Sequence, residues 1–302
     1  MIRKTAFEEL GHLVAQHGGA LPWEVIARGF VFRGKTFLFA NQARGIFKPA
    51  EMPGGAALSI KTTVPREGRT ARYDDLDSDE GFVYRFQGDD PKSWDNQLLY
   101  QAHVSATPII YFYGLAPSVY QPIWPAYIVD FDAAGRCCRV VADDANLVPQ
   151  PATIVADTLY QAAQRRYVTV LAKRRVHQQA FRLQVLEAYE ERCAICRLPR
   201  RELLDAAHIV PDRDERGVAE VKNGLALCKL HHGVFDADLL GIRPSGLIEI
   251  APALLDAKDG PTLEQGIKSF HGKVLHFPRS KSARPAESLL ERRFEQYLAA
   301  RR

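Results

Sequence analysis

No apolar run in this sequence approaches the roughly 20 residues that cross a bilayer. The first residues, Met1-Ile2-Arg3-Lys4-Thr5-Ala6-Phe7-Glu8-Glu9, lack the apolar core of a signal peptide. A membrane partner is therefore not expected. Cysteine is scarce, with five in 302 residues, and three of the five fall in one short segment. That usage suits a reducing compartment and predicts a cytoplasmic protein. Cys137 and Cys138 are adjacent, cannot easily pair with each other, and read as strand residues. Glycine and proline are missing from 157–189, and no acidic residue occurs between Gln161 and Arg182. A long, basic, uninterrupted helix is expected there.

What is present is enough for a full core. The chain is 46% hydrophobic and 25% charged, and its length suits two domains. The net charge of +4 is uneven. Residues 1–150 carry 15 basic and 17 acidic side chains, net −2, and residues 151–302 carry 25 and 19, net +6. The asymmetry favours an anionic partner for the C-terminal half.

Thr5–His17 has helical periodicity and stops at Gly18-Gly19. Pro22 to Ala27 suggests a further short helix. Short β-like runs follow at 30–32, 36–39, 57–62, 82–86, 109–113 and 126–129, with a helix at 96–103 between them. Many short strands and few helices predict a small barrel or a strongly bent sheet. Basic residues recur at strand ends and loops: Arg33, Lys35, Arg44, Lys48, Lys61, Arg66, Arg69 and Arg72. Trp94, Asp95, Asn96, Tyr111 and Tyr113 have the chemistry of a pocket in which a base stacks on an aromatic ring while a carboxylate or amide tests its edge. An ordinary β core with amphipathic rims accounts for any one of these aromatics equally well.

Residues 143–156 hold two prolines and no clear period, which makes them a boundary. The division expected is 1–150, a β-rich unit; 151–185, a basic linker helix; and 186–302, a third segment. On the helix, Arg165, Arg166, Lys173, Arg174, Arg175 and Arg182 form a candidate phosphate-contacting arm, the alternative being a solvated face. Glu287 to Ala299 reads as a C-terminal helix, preceded by Lys268, Lys273, Arg279, Lys281 and Arg284 as further surface cations.

The third segment carries the chemistry. Cys193-x-x-Cys196 and Cys228-x-x-His231 are two half-sites, each placing two soft ligands on one tight turn, the pattern of a closed structural zinc site. Asp205, His208, Asn223, His232 and Asp236 remain, more polar residues than a zinc-pinned module needs for folding. His232 and Asp236 are four apart in an expected helix, Lys229–Leu239, and so share one face. His231 points elsewhere, which lets the adjacent histidines serve different metals.

The order His208…Asn223…His232 inside a zinc-binding frame resembles the HNH (ββα-metal) endonuclease family over roughly residues 186–250. The resemblance implies that His208, before Ile-x-Pro, is the general base. Asn223, as the middle residue, would orient His208 by hydrogen bonds. His232 and Asp236 would hold a divalent ion, Mg²⁺ or another. The family often has His or Asp immediately before the base as a further ligand. Here that place is Ala207, and Asp205, on the same strand face, is the substitute. Many relatives also have Cys-x-x-Cys where this chain has Cys228-x-x-His231.

The layout of the N-terminal half, placed before such a module, looks like modification-dependent restriction enzymes that join a PUA- or SRA-like reader to a nuclease. The fold class implied is α+β: a PUA/SRA-like barrel, a linker helix and a zinc-containing ββα-metal domain. The function implied is metal-dependent hydrolysis of double-stranded DNA bearing 5-methyl- or 5-hydroxymethylcytosine. The alternatives are a conventional sequence-specific restriction endonuclease, or a zinc-containing DNA-binding protein without nuclease activity. A single HNH site cuts one strand, so a double-strand break requires a homodimer or two events.

Overall fold

The computed structural model describes residues 1–62, 64, 81–143, 158–211 and 218–300, with only the backbone of 158–164. Arg66, Arg69, Arg72 and most of the boundary segment 143–156 lie outside the described residues. The chain forms two compact units, Met1–Gln179 and Ala180–Arg302. The sequence places divisions at 150 and 185, whereas these units meet inside one helix.

The N-terminal unit begins with α1 (Ile2–His17), whose Ala6 and Leu10 are buried and which ends on Gly18 at a φ of 85°, a conformation that glycine adopts without Cβ strain. Next come β1 (Leu21–Pro22), α2 (Trp23–Ile26), β2 (Phe30–Phe32), β3 (Lys35–Phe37), β4 (Ile46–Phe47), β5 (Ser59–Lys61), β6 (Phe82–Arg85) and α3 (Trp94–Val104). They are followed by β7 (Ile109–Ala116), β8 (Val119–Asp132), β9 (Cys137–Ala142) and α4 (Thr158–Ala188).

A seven-stranded mixed sheet runs β4-β5-β7-β8-β9-β6, with β1 joined to the start of β8. Among the described residues only β5 and β7 pair in parallel; β2 and β3 form a separate hairpin. The architecture is thus a mixed α+β unit around a β-rich sheet. Leu10, Leu21, Ile26, Phe30, Phe39, Leu58 and Phe112 belong to one cluster between α1, the hairpin and the sheet.

β8 is longer than its sequence predicts, because Pro122 and Pro125 argue against a strand. At Pro122, β8 pairs with β7 alone, since β1 reaches only Val119 and Tyr120 and β9, running antiparallel, ends opposite Ala126. A residue without an N–H is tolerated where one strand edge asks for no donor.

The C-terminal unit starts with the last turns of α4 from Ala180. It adds β10 (Leu204–His208), β11 (Gly224–Cys228), α5 (Lys229–Asp236), β12 (Leu240–Ile242), β13 (Ile248–Ile250), α6 (Pro252–Asp256), α7 (Pro261–Glu264) and α8 (Glu287–Ala299). β10 and β11 are an antiparallel pair in which Leu204 faces Cys228 and His208 faces Gly224. Val185, Leu186, Leu225, Leu227, Phe235, Leu240, Ile250 and Leu290 share its core. Arg293 of α8 is buried beside Phe235, its guanidinium bonded to the Asp238 carboxylate and the Phe235 carbonyl. Among the described residues no helix is long and apolar enough to cross a membrane.

Candidate active site and metal centre

The turn after α4 folds the first half-site. Cys193 N–H donates to the Leu198 carbonyl, Arg197 N–H to the Cys193 carbonyl, and Arg197 takes a φ of 61° to close the turn. Ala194 N–H donates to the Ala226 carbonyl of β11 at 2.7 Å, docking the turn on the hairpin. The second half-site lies where β11 ends at Cys228 and α5 begins.

The Sγ atoms of Cys193, Cys196 and Cys228 and a ring nitrogen of His231 all fall within 4.8 Å of one another. Cys193 and Cys228 Sγ are 3.5 and 3.2 Å from His231 Nδ1, and Cys196 and Cys228 Sγ are 3.9 Å apart. Tetrahedral zinc, with bonds of about 2.0–2.3 Å, requires donor separations of roughly 3.5–3.8 Å. The four residues therefore fit a zinc ion.

His231 is also fixed from behind. Its Nε2 is 3.0 Å from the Gly266 carbonyl, which can only accept, so Nε2 carries a proton and Nδ1 is the nitrogen turned toward the sulfurs. Phe270 meets the ring edge-on at 5.1 Å. Hydrogen bonds from Cys196 and Cys228 hold the Cys193 thiol far below its ordinary pKa. Burial alone would lower His231, but its hydrogen bonds to Cys193 and Cys228 carry it up to about 9. A thiolate cluster that attracts a cation is what a metal ion would satisfy.

The second set lies next to the first without sharing ligands. His231 is buried, whereas the side chain of His232, one residue on, is partly open. His232 Nε2 is 3.2 Å from Asp236 Oδ2, one helical turn away on α5. Its Nδ1 is 3.8 Å from Oδ2 of Asp205 on β10. Asp205 and Asp236 thus approach opposite nitrogens of one imidazole. Two carboxylates and an imidazole are donors of the kind a hydrated divalent ion takes, but on opposite edges of the ring they do not converge on one point as the Cys₃His atoms do. Arg182 Nε lies 3.8 Å from Asp205 Oδ1, and its Nη2 donates to the Leu204 carbonyl at 2.7 Å.

His208 ends β10. Asn223, almost fully buried, holds the backbone just beyond it. The Val210 N–H donates to Asn223 Oδ1 at 2.9 Å, and Nδ2 donates to the Val210 and Val218 carbonyls at 2.9 and 3.1 Å. The Ile209 N–H donates to the Asn223 carbonyl at 2.9 Å. The His208 ring lies against Phe181 of α4, with centroids 4.0 Å apart and planes 15° from parallel. Phe181 appears in the sequence only as one apolar residue of a helical period, which carries no sign of this contact.

The six basic residues expected along α4 are not equivalent. Arg165 bonds the Asp143 carboxylate at 2.8 Å and covers the Tyr127 ring. Lys173 is buried over Phe82. Arg182 belongs with Asp205. Arg166, Arg174 and Arg175 are exposed.

The residues expected as a base pocket also differ in surroundings. Trp94 is 60% exposed at the start of α3, while Tyr111 is 1% exposed, ringed by Phe82, Tyr84 and Tyr113 at 5.6, 6.1 and 5.8 Å. Tyr111 has no open face for a base, and burial drives its phenol well above the ordinary value. Tyr111 and Tyr113 line the same face of β7; Tyr111 lies in the fully covered stretch of the strand, and Tyr113, further along, is only partly covered. Asn96 is fully buried, and its amide ties the 87–90 loop through the Gln87 N–H and the Gln87 and Asp90 carbonyls. Asp95, on the same turn, is only partly exposed, with its Oδ1 buried 3.7 Å from Arg44 Nη1. Lys61 is buried in β5, donating to the Asn41 and Gln42 carbonyls at 2.9 Å beside Trp23.

No curated protein matches the chain. Among solved structures, the modification dependent TagI restriction endonuclease is similar at 16% identity, covering 85% of this chain and 86% of that one. Its TM-score is 0.30, a likeness too loose to carry any argument. The HNH endonuclease family model matches residues 193–243, the segment that holds the Cys₃His cluster, His208, Asn223, His232 and Asp236. Residues 193–243 are an HNH endonuclease domain.

Proposed function

We propose that the chain is a metal-dependent endodeoxyribonuclease of the restriction type, cytoplasmic, directed to double-stranded DNA carrying a modified cytosine by its N-terminal unit, which is read as PUA/SRA-like. The observation that carries the nuclease reading is the meeting of Asp205, His232 and Asp236 on one hairpin–helix unit, with His208 at the end of the same strand.

Hydrolysis of a phosphodiester needs an activated water, neutralisation of charge on the phosphate, and stabilisation of the leaving oxygen. A ring nitrogen of His208 takes the proton from the attacking water. Asn223 keeps the backbone at Ile209 and Val210 fixed and with it the base. Asp205, His232 and Asp236 would hold the divalent ion, which supplies charge neutralisation when bound. Cys193, Cys196, Cys228 and His231 hold zinc as scaffold. The exposed Arg166, Arg174 and Arg175, together with the cations of 268–284, suit non-specific phosphate contact. By family resemblance the products carry 5′-phosphates and 3′-hydroxyls.

The modified-base reading rests on Trp94 and Asp95, an open aromatic face and a carboxylate on one helical turn. Ala207, where the family often has a ligand, favours a second reading: a zinc-containing DNA-binding protein that does not cut.

Incubating the protein with plasmid and Mg²⁺ or Mn²⁺ separates the two. Cleavage is expected, with His208→Ala slower by about 10²–10⁴-fold, the usual loss of a general base. Equal cleavage by wild type and His208→Ala would remove the base assignment. No cleavage in either metal leaves the second reading. Matched duplexes bearing cytosine, 5-methylcytosine or 5-hydroxymethylcytosine then test the substrate class.

A further inference from the structure

We infer that Phe181, outside the matched HNH segment, is a positioning residue for the general base; this rests on the proposed role of His208. The base is held in two parts. Asn223 holds the chain beyond His208 through Val210 and Ile209. The plane of the ring is a separate matter, set by a terminal torsion that is intrinsically broad for an imidazole. Phe181 lies flat against it, 4.0 Å between centroids and 15° between planes, and is itself 3% exposed. A fixed aromatic face at van der Waals distance permits the imidazole to lie parallel and opposes any tilt, so the ring edge keeps one direction.

The approach of α4 that makes this possible has its own requirement. Gly224 is the cross-strand partner of His208. A Cβ at Gly224 would come within 2.3 Å of Val185 Cγ2 and 3.0 Å of Phe181 Cζ. Only glycine lets the helix lie that close to the hairpin. Arg182, the next residue, is bonded to the Leu204 carbonyl at 2.7 Å, which pins the same turn of helix to the strand that carries His208. Phe181 is therefore held by its helix and meets the imidazole across a gap that a side chain at 224 would close.

The full-length protein tests this through Phe181→Leu, which keeps apolar bulk and loses the flat face. Expected is a kcat about 10–100-fold lower, the scale of a modestly misplaced catalytic group. DNA affinity, zinc content and the divalent ion needed for half-maximal cleavage should stay at wild-type values. In histidine-labelled protein, the His208 ring-proton resonances, assigned by comparison with His208→Gln, should move downfield as the ring current disappears. Should Phe181→Leu lose its thermal unfolding transition, Phe181→Met takes its place. Wild-type kcat in a folded variant overturns the inference, as does a His208 resonance that does not move. The nuclease reading fails separately, when His208→Ala cuts as fast as wild type. The resonance shift reads the stack even in a protein that does not cut.

Discussion

Asn223 and Asp205 show how much one side chain decides in the nuclease domain. Asn223 satisfies one N–H and two carbonyls in a place where water cannot replace it. Asn223→Ala leaves those groups unmet, each at about 1–3 kcal/mol. Urea unfolding of the C-terminal unit should show a loss of at least that size, with cleavage slowed because the chain beyond His208 is no longer fixed. Asp205 stands two residues before Ala207 and faces His232 Nδ1 at 3.8 Å. Asp205→Asn keeps the shape and removes the charge. Half-maximal cleavage should then require more divalent ion while zinc content is unchanged. An identical metal titration would mean that His232 and Asp236 hold the ion without it.

At the scale of elements, the two half-sites behave as a clasp. The 193–198 turn and the β11–α5 junction are separate pieces of chain, joined by four ligand atoms and one strand-docking hydrogen bond. Neither is long enough to bury a core by itself, so a zinc ion bound there would contribute folding free energy directly. Cys193→Ala should unfold the C-terminal unit, seen as loss of its cooperative transition together with its zinc, whereas His208→Ala should keep both. The same contrast separates a scaffold metal from a catalytic one. α4 likewise does more than connect. Thr169 bonds the Ala142 backbone in one unit, while Phe181 and Arg182 face His208 and Asp205 in the other.

For the whole molecule the question is where specificity resides. Residues 1–150 carry net −2, so bulk charge does not hold DNA there. A reader in that unit depends on local contacts and a specific pocket, and extruding a base costs a few kcal/mol. Trp94, 60% exposed, is the aromatic face that remains available once Tyr111 is assigned to the core. Trp94→Ala in the full-length chain should bind modified and unmodified duplexes equally, while the salt-dependent, non-specific affinity persists. If wild type already binds the two duplexes equally, the modified-base reading is lost and a conventional sequence reader or a protein-interaction unit takes its place.

The sequence by itself determined which polar residues the C-terminal unit sets at metal-ligand and HNH spacing. Metal half-sites and the His208, Asn223, His232 and Asp236 order are local patterns, fixed by spacing along a turn, a strand or a helix, and local spacing survives folding unchanged. Helices were legible for the same reason: 287–299 is the helix predicted, and α5, though it stops at Asp236 rather than Leu239, carries His232 and Asp236 on one face. Tertiary structure alone decided what depends on contacts between distant segments. Tyr111 is core and Trp94 is surface because of how β7 and α3 are placed in their unit. Lys173 and Arg165 turn inward although their helix reads as uniformly basic. The pairing of Gly224 with His208 let α4 come close enough for Phe181 to reach the His208 ring, 27 residues away in sequence, and periodicity along a helix carries no record of what will lie against it.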